Sequence, residues 1–186
     1  ARYQILGSLG DHAYRGSFLE NLALAPAVFL KYISLSVWPT NLLLDYSNYP
    51  LPTGFTDPRV IFGILFFIIF GLLIWFGLKK SLFPVSLGVI WFIAFLLPVL
   101  QMIPFQDIVG ERFLYTPLMG FFLSAVLGFE YLLGRIKLKF NLNLNKFALF
   151  LIILILGAFF TLTFRRNTDW LNSENLWLSV LKIDNR

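Results

Sequence analysis

The chain has 186 residues, of which 58% are hydrophobic and only 13% charged, with a net charge of +5. A soluble domain carries about a quarter charged residues, so this balance, a mean hydropathy of +0.77 and 22 Phe with five Trp describe an integral membrane protein rather than a soluble enzyme. Cysteine is absent and His12 is the single histidine, which excludes disulfides and thiolate metal sites and argues against histidine-based metal or triad chemistry within this chain.

The chain opens at Ala1-Arg2-Tyr3 without an initiator Met or a signal peptide and stops at Arg186, just past an amphipathic run, so it reads as a piece of a longer protein. Residues 1–21 mix Arg2, Asp11, His12, Arg15 and Glu20 with Gly7, Gly10 and Gly16, a glycine density that predicts a loop. Leu22–Trp38 is a first apolar block, interrupted by Pro26 and Lys31. It reads as a weak span or as an amphipathic or re-entrant segment. Pro39–Pro58 is rich in Pro, Asn and Asp and predicts a non-helical connector, with Tyr46 and Tyr49 suited to the headgroup level.

Val60–Leu78 is apolar without interruption and long enough to cross a bilayer, and Lys79-Lys80 closes it. Phe83–Ile103 is the next predicted span, with Pro84 in its first turn and Pro98 as a kink. Phe113–Leu133 follows, carrying Glu130 near its far end. The basic connector GRIKLKFNLNLNK and a last span, Phe147–Phe164, come after it. In the tail, Asp169 reads as a helix cap, and Trp170, Trp177 and Leu181 recur at helical spacing with Leu176 and Val180 beside them. That pattern suits the first helix of a tetratricopeptide-like repeat or an interfacial helix. The expected architecture is therefore all-α: a polytopic membrane bundle of about four to five helices. It divides into residues 1–58 with the weak helix 22–38, the bundle proper over 59–164, and the start of a helical repeat over 165–186.

Basic residues gather at Lys79-Lys80 and over Arg135–Lys146, on the same side by helix counting. The positive-inside rule makes both connectors cytoplasmic, so the net charge reports topology and not nucleic-acid binding. Pro39–Pro58, Pro104–Arg112 and the tail then face outward together. The second of these lies in QMIPFQDIVGERFLYTPLMG (101–120), where Asp107, Glu111 and Arg112 crowd a short connector between two apolar blocks. Ionisable groups at such a boundary are costly unless paired or functional. The pair Glu111-Arg112 also reads as a helix cap with a snorkelling arginine.

Three stretches together carry a resemblance: YISLSVWPTNLLLDYSNYPLP, GERFLYTPLMGF and FRRNTDWLNSENLWLSVLKIDN. They resemble the C-terminal membrane half of the transmembrane and tetratricopeptide-repeat-containing O-mannosyltransferase family, GT-C type membrane glycosyltransferases, in a bacterial-type relative. The matching pieces are Asp45-Tyr46-Ser47, Gly110-Glu111-Arg112 with Leu114-Tyr115-Thr116-Pro117, and Arg166-Asn167 with Trp170. Arg2 and Glu20-Asn21 match a loop before the first block, with Glu standing for the family's Asp. Asp184 stands where the repeats usually have Pro.

The resemblance implies transfer of a sugar from a polyprenyl-phosphate donor to a hydroxyl acceptor, a protein Ser or Thr or a glycan. The reaction would take place on the outer face of a multi-pass protein of the bacterial cytoplasmic membrane, without metal or other cofactor. The partners implied are membrane lipid, donor and acceptor, and no nucleic acid. The family's catalytic acid lies in the first extracytoplasmic loop, outside this stretch, so no catalytic residue is assigned. Arg112 and Tyr115 are the implied phosphate-holding residues, joined by Arg2 or Arg15, with Glu111 orienting Arg112 or the acceptor and Asp45 in the facing loop. A non-catalytic scaffold bearing repeats and a lipid-linked glycan polymerase or ligase remain alternatives. A transporter is the weaker alternative, since it would need ionisable groups mid-span, and apart from Glu130 near a span's end and Lys31 in the weak first block the spans hold none.

Overall fold

The computed structural model describes residues 18–40, 42, 46, 50–102, 107–140 and 145–172, and all regular structure among them is helical. The α-helices are α1 (Phe18–Val37), α2 (Pro58–Lys79), α3 (Phe83–Leu96), α4 (Tyr115–Phe140) and α5 (Asn145–Asp169), with 3-10 turns at Leu97–Val99 and Glu111–Leu114. Among the described residues two helices are long and apolar enough to cross a membrane, Pro58–Lys79 and Glu111–Arg135, while Phe83–Val99 is apolar but shorter.

Several boundaries differ from those the sequence predicts. Helix α1 begins at Phe18, inside the predicted loop, and runs through Pro26 to Val37. Helix α3 ends at Leu96 and tightens into a 3-10 turn at Leu97–Val99 instead of reaching Ile103, because Pro98 has no N–H with which to continue the ladder. Helix α4 passes Leu133 and enters the basic connector as far as Phe140; Ile, Leu, Lys and Arg there are all compatible with helix, so nothing stops it. Asp169, expected as the cap of the next helix, is the last residue of α5. Arg165 and Arg166 suit the negative end of α5's dipole, which favours carrying the helix past the apolar run. The repeat expected from Trp177 and Leu181 lies outside the described residues.

The chain divides into two compact units, residues 1–38 with 45–124, and 39–44 with 125–186. In the first, α1 is the buried centre: Leu24, Val28, Phe29 and Tyr32 are all at most 1% exposed. Phe29 stacks on Phe67 at 4.0 Å and meets Phe70 edge-on at 5.6 Å. Phe92 of α3 lies 5.7 Å from Phe70 and 5.3 Å from Phe121 of α4, so one aromatic cluster joins four helices. Aromatic pairs in such offset and tilted arrangements add about 0.5–1.5 kcal/mol each beyond their buried area.

Small residues set the helix separations, as expected where helices associate by close packing. Gly63 of α2 lies directly against Pro26 of α1, and Gly88 of α3 against Gly120 and Ser124 of α4. Ser86 donates to the Ile74 carbonyl across the α2–α3 hairpin at 2.9 Å, and Ser124 donates to the Val85 carbonyl at 3.0 Å. The hairpin itself turns at Ser81, in the left-handed region with φ 56°, while the Leu82 N–H returns to the Gly77 carbonyl at 2.7 Å.

In the second unit, α5 presents apolar side chains, Phe150, Leu156 and Phe160 among them, each more than 60% exposed. Arg135 donates to the Tyr131 hydroxyl at 2.8 Å, and the Arg166 guanidinium lies 5.9 Å from the Trp170 ring.

Candidate functional site

The connector after α3 is tied at both ends. Gln101, fully buried and in the left-handed region with φ 60°, donates through its amide to the Asp107 carbonyl at 2.6 Å. Ile108 and Val109 then bury their side chains at 8% and 2% exposure, anchoring the strand-like approach to the Glu111–Leu114 turn. The turn opens at Gly110 in extended backbone (φ −150°), and the Phe113 N–H closes it on the Gly110 carbonyl at 3.1 Å. Leu114 points inward, 5% exposed.

Glu111 accepts a hydrogen bond from the Tyr46 hydroxyl at 2.9 Å. The Lys31 ammonium sits 5.6 Å over the Tyr46 ring, and Glu111 acts on it as an opposite charge. Gly110 donates its N–H to the Tyr32 hydroxyl at 3.2 Å. Arg112 turns the other way: its side chain is 67% exposed, it pairs with Asp107, and its guanidinium lies 5.0 Å from the Phe113 ring. Tyr115, first residue of α4, is 76% exposed.

A second polar knot caps α2. Asp57 accepts from the Arg59 backbone N–H at 2.9 Å and from the Arg59 guanidinium, and Pro58 occupies the first helical position. Arg59 also donates to the Pro50 and Leu51 carbonyls, so the same pair pins the end of the preceding loop. The Arg59 side chain, then its backbone N–H, hold the Asp57 carboxyl well below the usual carboxylate range.

Of the site residues named from sequence, Glu111, Arg112 and Tyr115 are described and share one turn. Asp45, Arg2 and Arg15 lie outside the described residues. Arg112 pairs with Asp107, while Glu111, which the resemblance implies orients Arg112 or the acceptor, accepts from Tyr46. Four contributors escape a sequence reading. Tyr46 and Tyr32 act through single hydroxyls. Lys31 reads as a flaw in an apolar block, and Gln101 as a loop polar. Among the described residues no group of three His, Cys, Asp or Glu could hold a metal ion.

The turn thus offers an outward guanidinium, paired with Asp107, and, three residues on, the exposed Tyr115, at the start of an apolar helix whose N-terminal dipole also favours negative charge. Chemically that set can bind an anion such as phosphate and has no evident nucleophile.

No protein-family profile matches the chain, and no solved structure matches it. Over 169 residues it is 29% identical to Protein O-mannosyl-transferase Tmtc3 of Drosophila melanogaster, covering 83% of this chain and 17% of that protein. It is 29% identical over 155 residues to Protein O-mannosyl-transferase TMTC3 of Mus musculus, covering 78% of this chain and 16% of that protein. A shorter match, 36% identical over 77 residues, is to Protein O-mannosyl-transferase Tmtc1 of Drosophila melanogaster, covering 41% and 9%. The chain spans at most 17% of the length of these three relatives.

Proposed function

We propose, from the chain's kinship with the transmembrane and tetratricopeptide-repeat-containing O-mannosyltransferases, that it is part of a multi-pass membrane glycosyltransferase. The enzyme moves a sugar, mannose by analogy with the relatives' names, from a polyprenyl-phosphate donor to a protein Ser or Thr hydroxyl on the extracytoplasmic face. In that reaction the acceptor oxygen attacks the anomeric carbon and the bond from that carbon to the phosphate oxygen breaks. The hydroxyl proton passes to a carboxylate, and the polyprenyl phosphate leaves with added negative charge. A cation beside the leaving phosphate therefore stabilises the transition state more than the ground state. Arg112 fills that role, with Tyr115 beside it and the dipole of α4 behind.

The observation that carries this assignment is the exposed Arg112–Asp107 pair, with side chains 67% and 36% exposed. A surface ion pair is worth about 0–1 kcal/mol, while a charge-assisted contact to phosphate contributes about 1.5–3 kcal/mol. A phosphate group thus displaces Asp107 at little cost.

The same pair favours a second reading, in which Arg112 is a strut that only closes the connector. Purified full-length Arg112→Ala separates the two. The phosphate role predicts a roughly ten- to hundredfold loss of transfer per folded molecule, with partial recovery in Arg112→Lys, which lacks the bidentate fork. The strut predicts lower folded yield with wild-type specific activity, and that result would remove Arg112 from the site.

A further inference from the structure

The turn that carries Arg112 is only four residues long and has no side-chain cap of its own at Gly110. Short 3-10 turns have poor hydrogen-bond geometry and little stability by themselves. Even so, its cap residue Gly110 and its first residue Glu111 are held from outside, the one by Tyr32 of α1 and the other by Tyr46, over which the neighbouring Lys31 of α1 sits. The Tyr32 hydroxyl accepts the Gly110 N–H directly, and Lys31 supports the Tyr46 ring whose hydroxyl donates to Glu111. Consecutive helical side chains diverge by about 100°, so neighbours on α1 reach different parts of the same turn.

The two phenols are held firmly, since Tyr32 is 0% and Tyr46 5% exposed. Exposure across the turn is graded accordingly: Gly110 and Glu111 half-buried, Arg112 exposed, Leu114 buried. The turn is fixed on both flanks and releases one charged side chain between them. Filling the space would not require the hydroxyls, because Phe would occupy it as well as Tyr. The hydroxyls matter for direction.

We propose that Lys31, Tyr32 and Tyr46 are positioning residues that set the angle at which the Gly110–Leu114 turn presents Arg112. They act on the reaction through the turn. Their role in transfer rests on the glycosyltransferase reading above, whereas their hold on the turn does not.

The test uses full-length protein with Tyr32→Phe, Tyr46→Phe and Lys31→Met, and Lys31→Arg as the conservative control. Backbone hydrogen exchange of the segment 108–115 is measured beside thermal stability. Transfer from polyprenyl-phosphate mannose to a Ser/Thr peptide is resolved into kcat and KM. Each Tyr→Phe variant should exchange faster over 108–115 by roughly two- to tenfold, the range that one lost hydrogen bond allows. Exchange in α2 and α3 should stay unchanged. The fall in transfer should be of similar size and lie in kcat more than in the KM for the peptide. Lys31→Met should behave likewise and Lys31→Arg should retain wild-type values, because Arg keeps the cation over the ring.

Unchanged exchange over 108–115 overturns the proposal, and so does faster exchange with unaltered kcat. If the wild-type protein transfers no mannose, the glycosyltransferase reading fails separately. The grip on the turn is then decided by exchange alone.

Discussion

The contact between Gly63 and Pro26 lends itself to a paired test, because α2 contains another glycine in open surroundings. A Cβ added at Gly63 would lie 2.5 Å from the Pro26 carbonyl carbon and 2.8 Å from its Cβ, and closer still to its oxygen, whereas one at Gly71 would meet nothing within 4 Å. Carbon atoms rest about 3.5–4.0 Å apart, so Gly63→Ala forces α1 and α2 apart by about 1 Å. The obstruction is backbone and a proline ring, neither able to rotate aside. Overpacking of this kind costs about 1–3 kcal/mol, offset by the roughly 0.8–1 kcal/mol that alanine gains over glycine inside a helix. Gly71→Ala collects the helix gain alone. Thermal and denaturant unfolding of full-length protein, followed by tryptophan fluorescence, should therefore place Gly71→Ala above wild type and Gly63→Ala below Gly71→Ala by about 1–3 kcal/mol. Equal stability of the two variants would refute the close approach of α1 and α2.

The crossing of α3 and α4 should respond in the same sense: Gly88→Ala and Gly120→Ala, each aimed at the other helix, carry the same overpacking cost of about 1–3 kcal/mol less the helix gain of about 1 kcal/mol, a net loss of up to about 2 kcal/mol each, and the double variant should cost less than the sum because one displacement serves both. Asp57→Asn should loosen the start of α2, read as faster hydrogen exchange over residues 50–60 at neutral pH. Because the folded Asp57 carboxyl is held below its ordinary range, its contribution is full above the unfolded value of about 3.9 and fades only as pH falls beneath it. The wild-type advantage over Asp57→Asn should thus persist at pH 5 and shrink in stronger acid; an advantage already lost at pH 5 would contradict the Arg59 contacts. A single cysteine at Lys80 should resist membrane-impermeant thiol reagents in intact cells while one at Phe55 reacts, and the reverse pattern would invert the orientation drawn from the basic connectors.

Much of the framework is legible in the residues. Val60–Leu78 contains no proline and no charge and much that belongs in lipid, and α2 occupies it. The connector around Glu111-Arg112 announces itself because charge beside apolar runs is expensive. The partners are harder to foresee. Tyr46 meets Glu111 across 65 positions; the Asp45-Tyr46-Ser47 match sets it apart from Tyr49, but nothing local names its partner. Pro26 and Lys31 read as defects when α1 is judged as an isolated span; in the fold, Pro26 is the seat for Gly63 and Lys31 supports the Tyr46 ring. Tertiary contact turns both from liabilities into attachments. Helix ends are the other blind spot, since α4 continues through residues whose charge, not their backbone preference, suggested a stop.

The burial of α1 also has a temporal side. Its Phe29 and Tyr32 meet groups from α2, α3 and the turn at 110, all of which emerge from the ribosome later. The roughly sixty residues between Val37 and Leu96 take about 3–12 s to synthesise. Within that interval Tyr46, which meets Lys31, is made first, Gly63, which meets Pro26, next, and Phe92 near its end. A chain halted just after Val37 lacks these later partners of α1, and one halted beyond Leu96 already holds Phe67, Phe70 and Phe92 though not Gly110.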